Sequence, residues 1–113
     1  MTITLKMRGG ACLLELEGEF DRTNSGELAA AIDECLQSAS SVALDFQPVT
    51  FLDGGVLSLL LDVLDGLEGH GWLGVVRPSA RMRRLLDIVG LSARGNFRLF
   101  PTMEEALEAI DQS

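Results

Sequence analysis

The segment Phe51-Leu52-Asp53-Gly54-Gly55-Val56-Leu57-Ser58-Leu59-Leu60-Leu61 sets one acid and two glycines between a β-branched, aromatic run and an unbroken apolar one. An aspartate at a helix start accepts hydrogen bonds from first-turn amides, and the amides left over, with the positive end of the helix dipole, favour anions. Asp53 is therefore read as an N-cap, with Gly54, Gly55 and Val56 forming the first turn. Asp45 and Asp53 could be paired as acid and base, but no nucleophile, metal-ligand set or deep-pocket signature accompanies them, so the chain is not read as an enzyme. Cys12 and Cys35 are far apart and each falls at an apolar-periodic position, which suits small buried hydrophobes better than a disulfide or a metal pair. His70, the only histidine, sits in the helix-ending turn Glu68-Gly69-His70-Gly71. With no second histidine or cysteine cluster near it, neither a zinc site nor a histidine-activated nucleophile has support.

The elements that must position these residues follow from two periodicities. Ile3, Leu5 and Met7 alternate with Thr4 and Lys6, and Cys12, Leu14, Leu16 and Phe20 alternate with Leu13, Glu15, Glu17 and Glu19, as strands do. Gly9-Gly10 between them is a hairpin turn signal. The period then changes: Leu28, Ala31, Ile32, Cys35 and Leu36 predict a helix over about 25–38, with Asn24 and Glu27 as its capping box. Residues 41–46, 73–76 and 97–100 read as short strands. A second helix follows Asp53 and ends near Gly69 to Gly71. A third opens at Ser79 and closes at Gly90, with Leu91 placed for a Schellman contact. A fourth opens at Thr102 with Glu105 three residues on. The order ββαβαβαβα predicts an α/β fold, a mixed sheet of about five strands with four helices, its later strands parallel and its first hairpin antiparallel.

The second helix is more apolar than one sheet requires. Val56, Leu57, Leu59, Leu60, Leu61, Val63, Leu64 and Leu67 cover roughly 200° of its wheel, about twice the usual stripe. Either the helix is wedged between the sheet and a neighbouring helix, or Val56, Leu59 and Val63 stay partly exposed and dock a partner. Arg77, Arg81, Arg83, Arg84, Arg94 and Arg98 crowd into one third of the chain. They form either a face for an acidic partner or nucleotide phosphate, or a solvated helix surface in which Arg83 pairs with Asp87.

Composition bounds the remainder. At 113 residues the chain is expected to be one domain over 1–113. The formal charge of −8 repels phosphate backbones, which disfavours nucleic acid. With no tyrosine and one tryptophan, a stacking platform for bases or sugars is not expected. No basic leader or stretch of about 18 apolar residues is present, so a cytoplasmic protein with no membrane insertion is expected.

Val42-Ala43-Leu44-Asp45-Phe46, the run from Val49 to Asp53 leading into a Gly/Leu-rich helix, Arg77-Pro78-Ser79 through Gly90-Leu91, and Phe100-Pro101-Thr102-Met103-Glu104-Glu105-Ala106-Leu107 together resemble a STAS domain of the bacterial anti-sigma factor antagonist family. Gly18-Glu19-Phe20-Asp21 is similar to that family's segment before its first helix. The resemblance implies a transcriptional regulator that binds an anti-sigma factor, itself a serine kinase, and is released when phosphorylated. The family's run is Asp-Ser-Ser/Thr-Gly-Leu, its second hydroxyl accepting phosphate. Here Asp53 and Leu57 match, Gly54 and Gly55 replace the hydroxyl residues, and Val56 replaces the glycine, so the phosphoacceptor position is Gly55 and carries no oxygen. Ser58 is a substitute about one turn deeper, and Thr50 also matches a common family residue. The resemblance sets the loop of Asp21, Thr23 and Asn24 beside Asp53, Gly54, Gly55 and Leu57, and with Val56, Leu59 and Val63 from the helical wheel these make the expected partner surface. No cofactor is implied, and a homodimer is open. The alternatives are a STAS subunit of a lipid-transport ATPase or sensory complex, and a nucleotide-binding module.

Overall fold

The structure is a computed structural model that describes residues 1–112. Its strands are β1 (Thr2–Arg8), β2 (Ala11–Phe20), β3 (Ser41–Asp45), β4 (Val49–Leu52), β5 (Leu73–Val76) and β6 (Phe97–Phe100), and its helices are α1 (Ser25–Leu36), α2 (Gly54–Leu67), α3 (Ala80–Ile88) and α4 (Met103–Asp111). The six strands form one mixed sheet in the order β1-β2-β3-β5-β6, with β4 paired to β2 beyond the end of β3. Only β1 is antiparallel to its neighbour; the other pairs are parallel, as crossover connections require. The sheet therefore holds one strand more than the sequence predicts. Val49–Leu52 is a strand because Gly18, Glu19 and Phe20 of β2 offer it a free edge, a long-range pairing that four residues do not announce.

Period-two alternation sorts β2 between two cores. Cys12, Leu14, Leu16 and Phe20 face a large cluster with Leu28 and Ile32 of α1, Leu60 and Leu64 of α2, and Met82 and Leu86 of α3. Ala11 and Leu13 face a smaller cluster with Ala43, Trp72, Val76, Phe100 and, from α4, Ala106 and Ile110. Three helices thus cover one face and α4 the other. Asp53, Ser79 and Thr102 cap their helices as expected, each accepting from the amide three residues on. Gly90 takes the left-handed φ of 86° and Leu91 is buried beside it, the geometry expected at the end of α3.

Two expectations fail. Asn24 occupies the N-cap position of α1 but makes no side-chain cap bond, because its amide is committed to the preceding turn. Cys12 and Cys35 are joined as a disulfide, with Cα atoms 5.9 Å apart. Both are fully buried as foreseen. However, the inward face of β2 and the inward face of α1 meet, so a sequence separation of 23 becomes a contact.

Candidate functional site

The carboxyl ends of the parallel strands and the amino ends of α2 and α3 share one edge of the molecule, where open α/β sheets commonly bind ligands. Asp53 organises this edge. Its Oδ1 accepts from the Val56 amide at 3.1 Å, and its Oδ2 accepts from the Arg22 amide at 3.0 Å. Its own amide donates to the Phe20 carbonyl at 3.2 Å. One side chain thereby ties the β2–α1 turn to the mouth of α2.

That turn is braced internally. Asp21 Oδ1 accepts from the Thr23 amide at 2.8 Å and from the Thr23 hydroxyl at 2.5 Å. Asn24 Oδ1 accepts from the Asp21 amide at 2.9 Å, and its Nδ2 donates to the Glu19 carbonyl at 2.8 Å. The bond from the Thr23 hydroxyl, with those from the backbone, holds the Asp21 carboxyl below the usual carboxylate range. Thr23 is exposed and Asp21, Asn24 and Asp53 are half-buried, so the edge presents two carboxylates on a preformed frame.

Gly54 and Gly55 are exposed. Their amides belong to the first helical turn and have no intrahelical acceptor by position. A Cβ at Gly54 would meet nothing within 4 Å, whereas one at Gly55 would stand 3.3 Å from Asp53 Oδ1. The mouth of α2 is thus open to solvent rather than covered by the chain. Val56 and Leu57 are a correction to the expected surface. They are 0% and 4% exposed, because the wheel positions following the two glycines turn straight into the main core. Leu59 and Val63 remain half-buried, but they line a separate groove between α1 and α2. Ser58 is exposed on the outer side of the helix.

Phe51 belongs to this edge although sequence reasoning did not select it. It is 46% exposed beside Thr50, and both border a depression of about 250 Å³ shared with Ser79, Arg81 and Leu85 of the α3 region. No local signal marked it: Val49-Thr50-Phe51-Leu52 does not show in sequence that Val49 and Leu52 are buried with two outward residues between them, an arrangement the fold alone imposes.

Other candidates are occupied elsewhere. Asp45, 3% exposed, accepts from Arg77 Nη2 at 2.7 Å and from the Gln47 amide at 3.1 Å, while Asp53 caps α2, so the two carboxylates serve different partners. Arg77 takes a left-handed φ of 53°, and its amide donates to the Phe100 carbonyl at 2.8 Å, which locks the ends of β3, β5 and β6. Arg94 pairs with Asp65, and Arg98 lies over the Trp72 ring at 5.0 Å. Three of the six arginines are thus drawn to separate partners, whereas Arg81, Arg83 and Arg84 stay exposed on α3, and among the described residues Arg83 and Asp87 make no ion pair. Among the described residues no group of three or more His, Cys, Asp or Glu side chains could hold a metal, and no helix is long and apolar enough to cross a membrane.

A family model described as Mlab, STAS domain matches residues 3–101. Among solved structures, an anti-sigma factor antagonist from Mycobacterium paratuberculosis shares 27% identity and superposes with a TM-score of 0.83, over 96% of this chain and 92% of that one. The anti-sigma factor antagonist SpoIIAA in its unphosphorylated form shares 22% identity with a TM-score of 0.75, over 96% and 97% of the two chains. SpoIIAA of Bacillus in its phosphorylated form shares 23% with the same TM-score, over 96% and 99%; these two likenesses concern the fold. No curated protein matches the chain.

Proposed function

The chain belongs to the STAS domain family, and from that membership we propose that it is a single-domain, non-catalytic, cytoplasmic anti-sigma factor antagonist that binds an anti-sigma factor of the serine-kinase type and is not released by phosphorylation at the usual position. The observation that carries this reading is the mouth of α2. It is open, it is braced by Asp53 to the turn holding Asp21, Thr23 and Asn24, and it offers glycine at 54 and 55 where the family's hydroxyl residues would stand.

The physical consequence is an interface without its electrostatic release. A phosphate would add about −1.5 to −2 charges to an edge that already carries Asp21 and Asp53, enough to disrupt contacts made to the uncharged helix mouth. Gly55 cannot receive it. Binding in this reading rests on shape, on the free amides of Gly54 and Gly55 and on the exposed Phe51 ring, an aromatic anchor of the kind that dominates small interfaces.

Incubation with a GHKL-type anti-sigma kinase and ATP, followed by mass spectrometry, tests the reading. Binding without modification is expected, and phosphate on any residue from 50 to 58 overturns it. The variant Gly55→Ser then asks whether the acceptor alone has been lost. Its new Cβ requires Asp53 to yield by a few tenths of an ångström, a small adjustment, so phosphorylation of Ser at this position would show that the kinase contact survives.

The same absent hydroxyl favours one second reading. A subunit held permanently in a lipid-transport ATPase needs no release switch, and recovery of such an ATPase in a pull-down, in place of a kinase, decides for it. Saturable calorimetric binding of ATP or GTP to the isolated protein would oppose both.

A further inference from the structure

A second surface lies along the flank of α2 away from its mouth. There α1 and α2 leave an open groove of about 540 Å³ between them. Leu36 of α1 and Leu59 and Val63 of α2, all half-buried, supply its apolar floor, with Leu67 beneath. The excess apolar arc of α2 is thereby divided. Val56, Leu57, Leu60, Leu64 and Leu67 are core, while Leu59 and Val63 are left facing water across the groove.

The rims are acidic. Asp33 on α1 and Asp62 on α2 are exposed, and neither takes part in an ion pair among the described residues. No lysine or arginine lines the groove, its one basic lining residue being the exposed His70 at the end away from Ala29, and the chain as a whole carries −8. The groove follows α1 from Ala29 to Leu36 and α2 from Leu59 to Leu67, and is closed at one end by Ala39, Ser40 and His70 from the loops that follow them. At 1.5 Å per residue these helical stretches are about 10 to 12 Å long, which matches roughly eight residues of a helix laid between them and just admits anchors at i, i+4 and i+7.

We propose that this groove is a docking site for an amphipathic helix of a partner protein, one whose apolar ridge is flanked by lysine or arginine. The ridge fills the space over Leu36, Leu59 and Val63, and the flanking cations meet Asp33 and Asp62. An acidic or neutral helix would leave both rim carboxylates facing like charge or apolar surface. The site is independent of the mouth of α2, so a partner here and a partner at Asp53 could be held together.

The test uses a synthetic 18-residue peptide of leucine and lysine arranged at helical period, and a scrambled peptide of identical composition, titrated into the full chain by calorimetry. The periodic peptide is expected to bind saturably at one to one and at least about tenfold more tightly than the scrambled one, because only the former presents a ridge of apolar anchors. Gly66→Phe fills the groove, and since a Cβ there meets nothing within 4 Å the variant is expected to fold; circular dichroism checks this, and binding should fall at least about tenfold. The double variant Asp33→Asn/Asp62→Asn should weaken binding and flatten its salt dependence, as rim charges do. Equal binding of the two peptides, absence of binding, or unchanged binding by folded Gly66→Phe each overturns the proposal. Self-association of the wild-type chain that Gly66→Phe abolishes and Ile88→Glu also abolishes would overturn it in favour of a second copy, whose Ile88, 70% exposed, ends α3 one turn after Arg84.

Discussion

Replacing Asp53 by alanine removes two hydrogen bonds that point in opposite directions, one into α2 and one across to the β2–α1 turn. Loss of an N-cap acceptor costs about 1 kcal/mol, and loss of the carboxylate charge at the helix start about 0.5 kcal/mol more. The Arg22 amide is in an exposed turn and recovers a water, so its lost bond adds only about 0.5 kcal/mol. The sum is about 2 kcal/mol. With an unfolding entropy near 2.1 cal/mol/K per residue, about 0.24 kcal/mol/K for 113 residues, that corresponds to a fall in Tm of about 8 °C. Asp53→Asn keeps one oxygen able to accept from Val56 but loses the charge and the second acceptor, so about half that shift is expected. Thermal unfolding followed by circular dichroism, with urea titration for the free energies, measures both. A shift below about 2 °C for Asp53→Ala, or equal shifts for the two variants, would refute the account of Asp53 as a two-sided brace.

Three further outcomes are expected. In Gly71→Ala the new methyl would overlap the Ser40 carbonyl, a backbone atom that cannot step aside, so urea titration should show a loss of about 3 kcal/mol or more, or no cooperative transition. Reducing the Cys12–Cys35 bond reopens a loop of 23 residues and should lower the unfolding free energy by about 3 kcal/mol while leaving the far-ultraviolet spectrum unchanged; an unchanged urea midpoint in dithiothreitol would contradict this. Asp111 is held below its ordinary pKa chiefly by its hydrogen bond from Arg8, so the unfolded chain takes up protons first as pH falls. Its contribution is present above the ordinary carboxylate range and is lost as pH drops through the lower folded value, so the stability gap between wild type and Asp111→Asn should close as pH falls below that range. A gap that widened on acidification would reverse the argument.

Cytosolic thiols are kept reduced, so in a cytoplasmic setting Cys12 and Cys35 would stand as adjacent buried thiols. The fold does not depend on the bond for its contacts, because the same two side chains already sit inside the main core. The redox state therefore adjusts stability rather than architecture.

Local pattern was enough to read each helix and most strands of this protein. Period-two and helical spacing, together with the caps Asp53, Ser79 and Thr102, depend on neighbours within a turn or a pleat, and these interactions are the same in the sequence and in the fold. The same locality made the mouth of α2 legible, since Asp53, Gly54 and Gly55 form one turn. Tertiary structure decided what adjacency in the chain cannot express. It paired β4 with β2, joined Cys12 to Cys35, drew Asn24 from its capping role into the turn, and buried Val56 and Leu57 while leaving Phe51 in water. A wheel shows which way a side chain points, but only the packed neighbour determines whether anything is there to meet it.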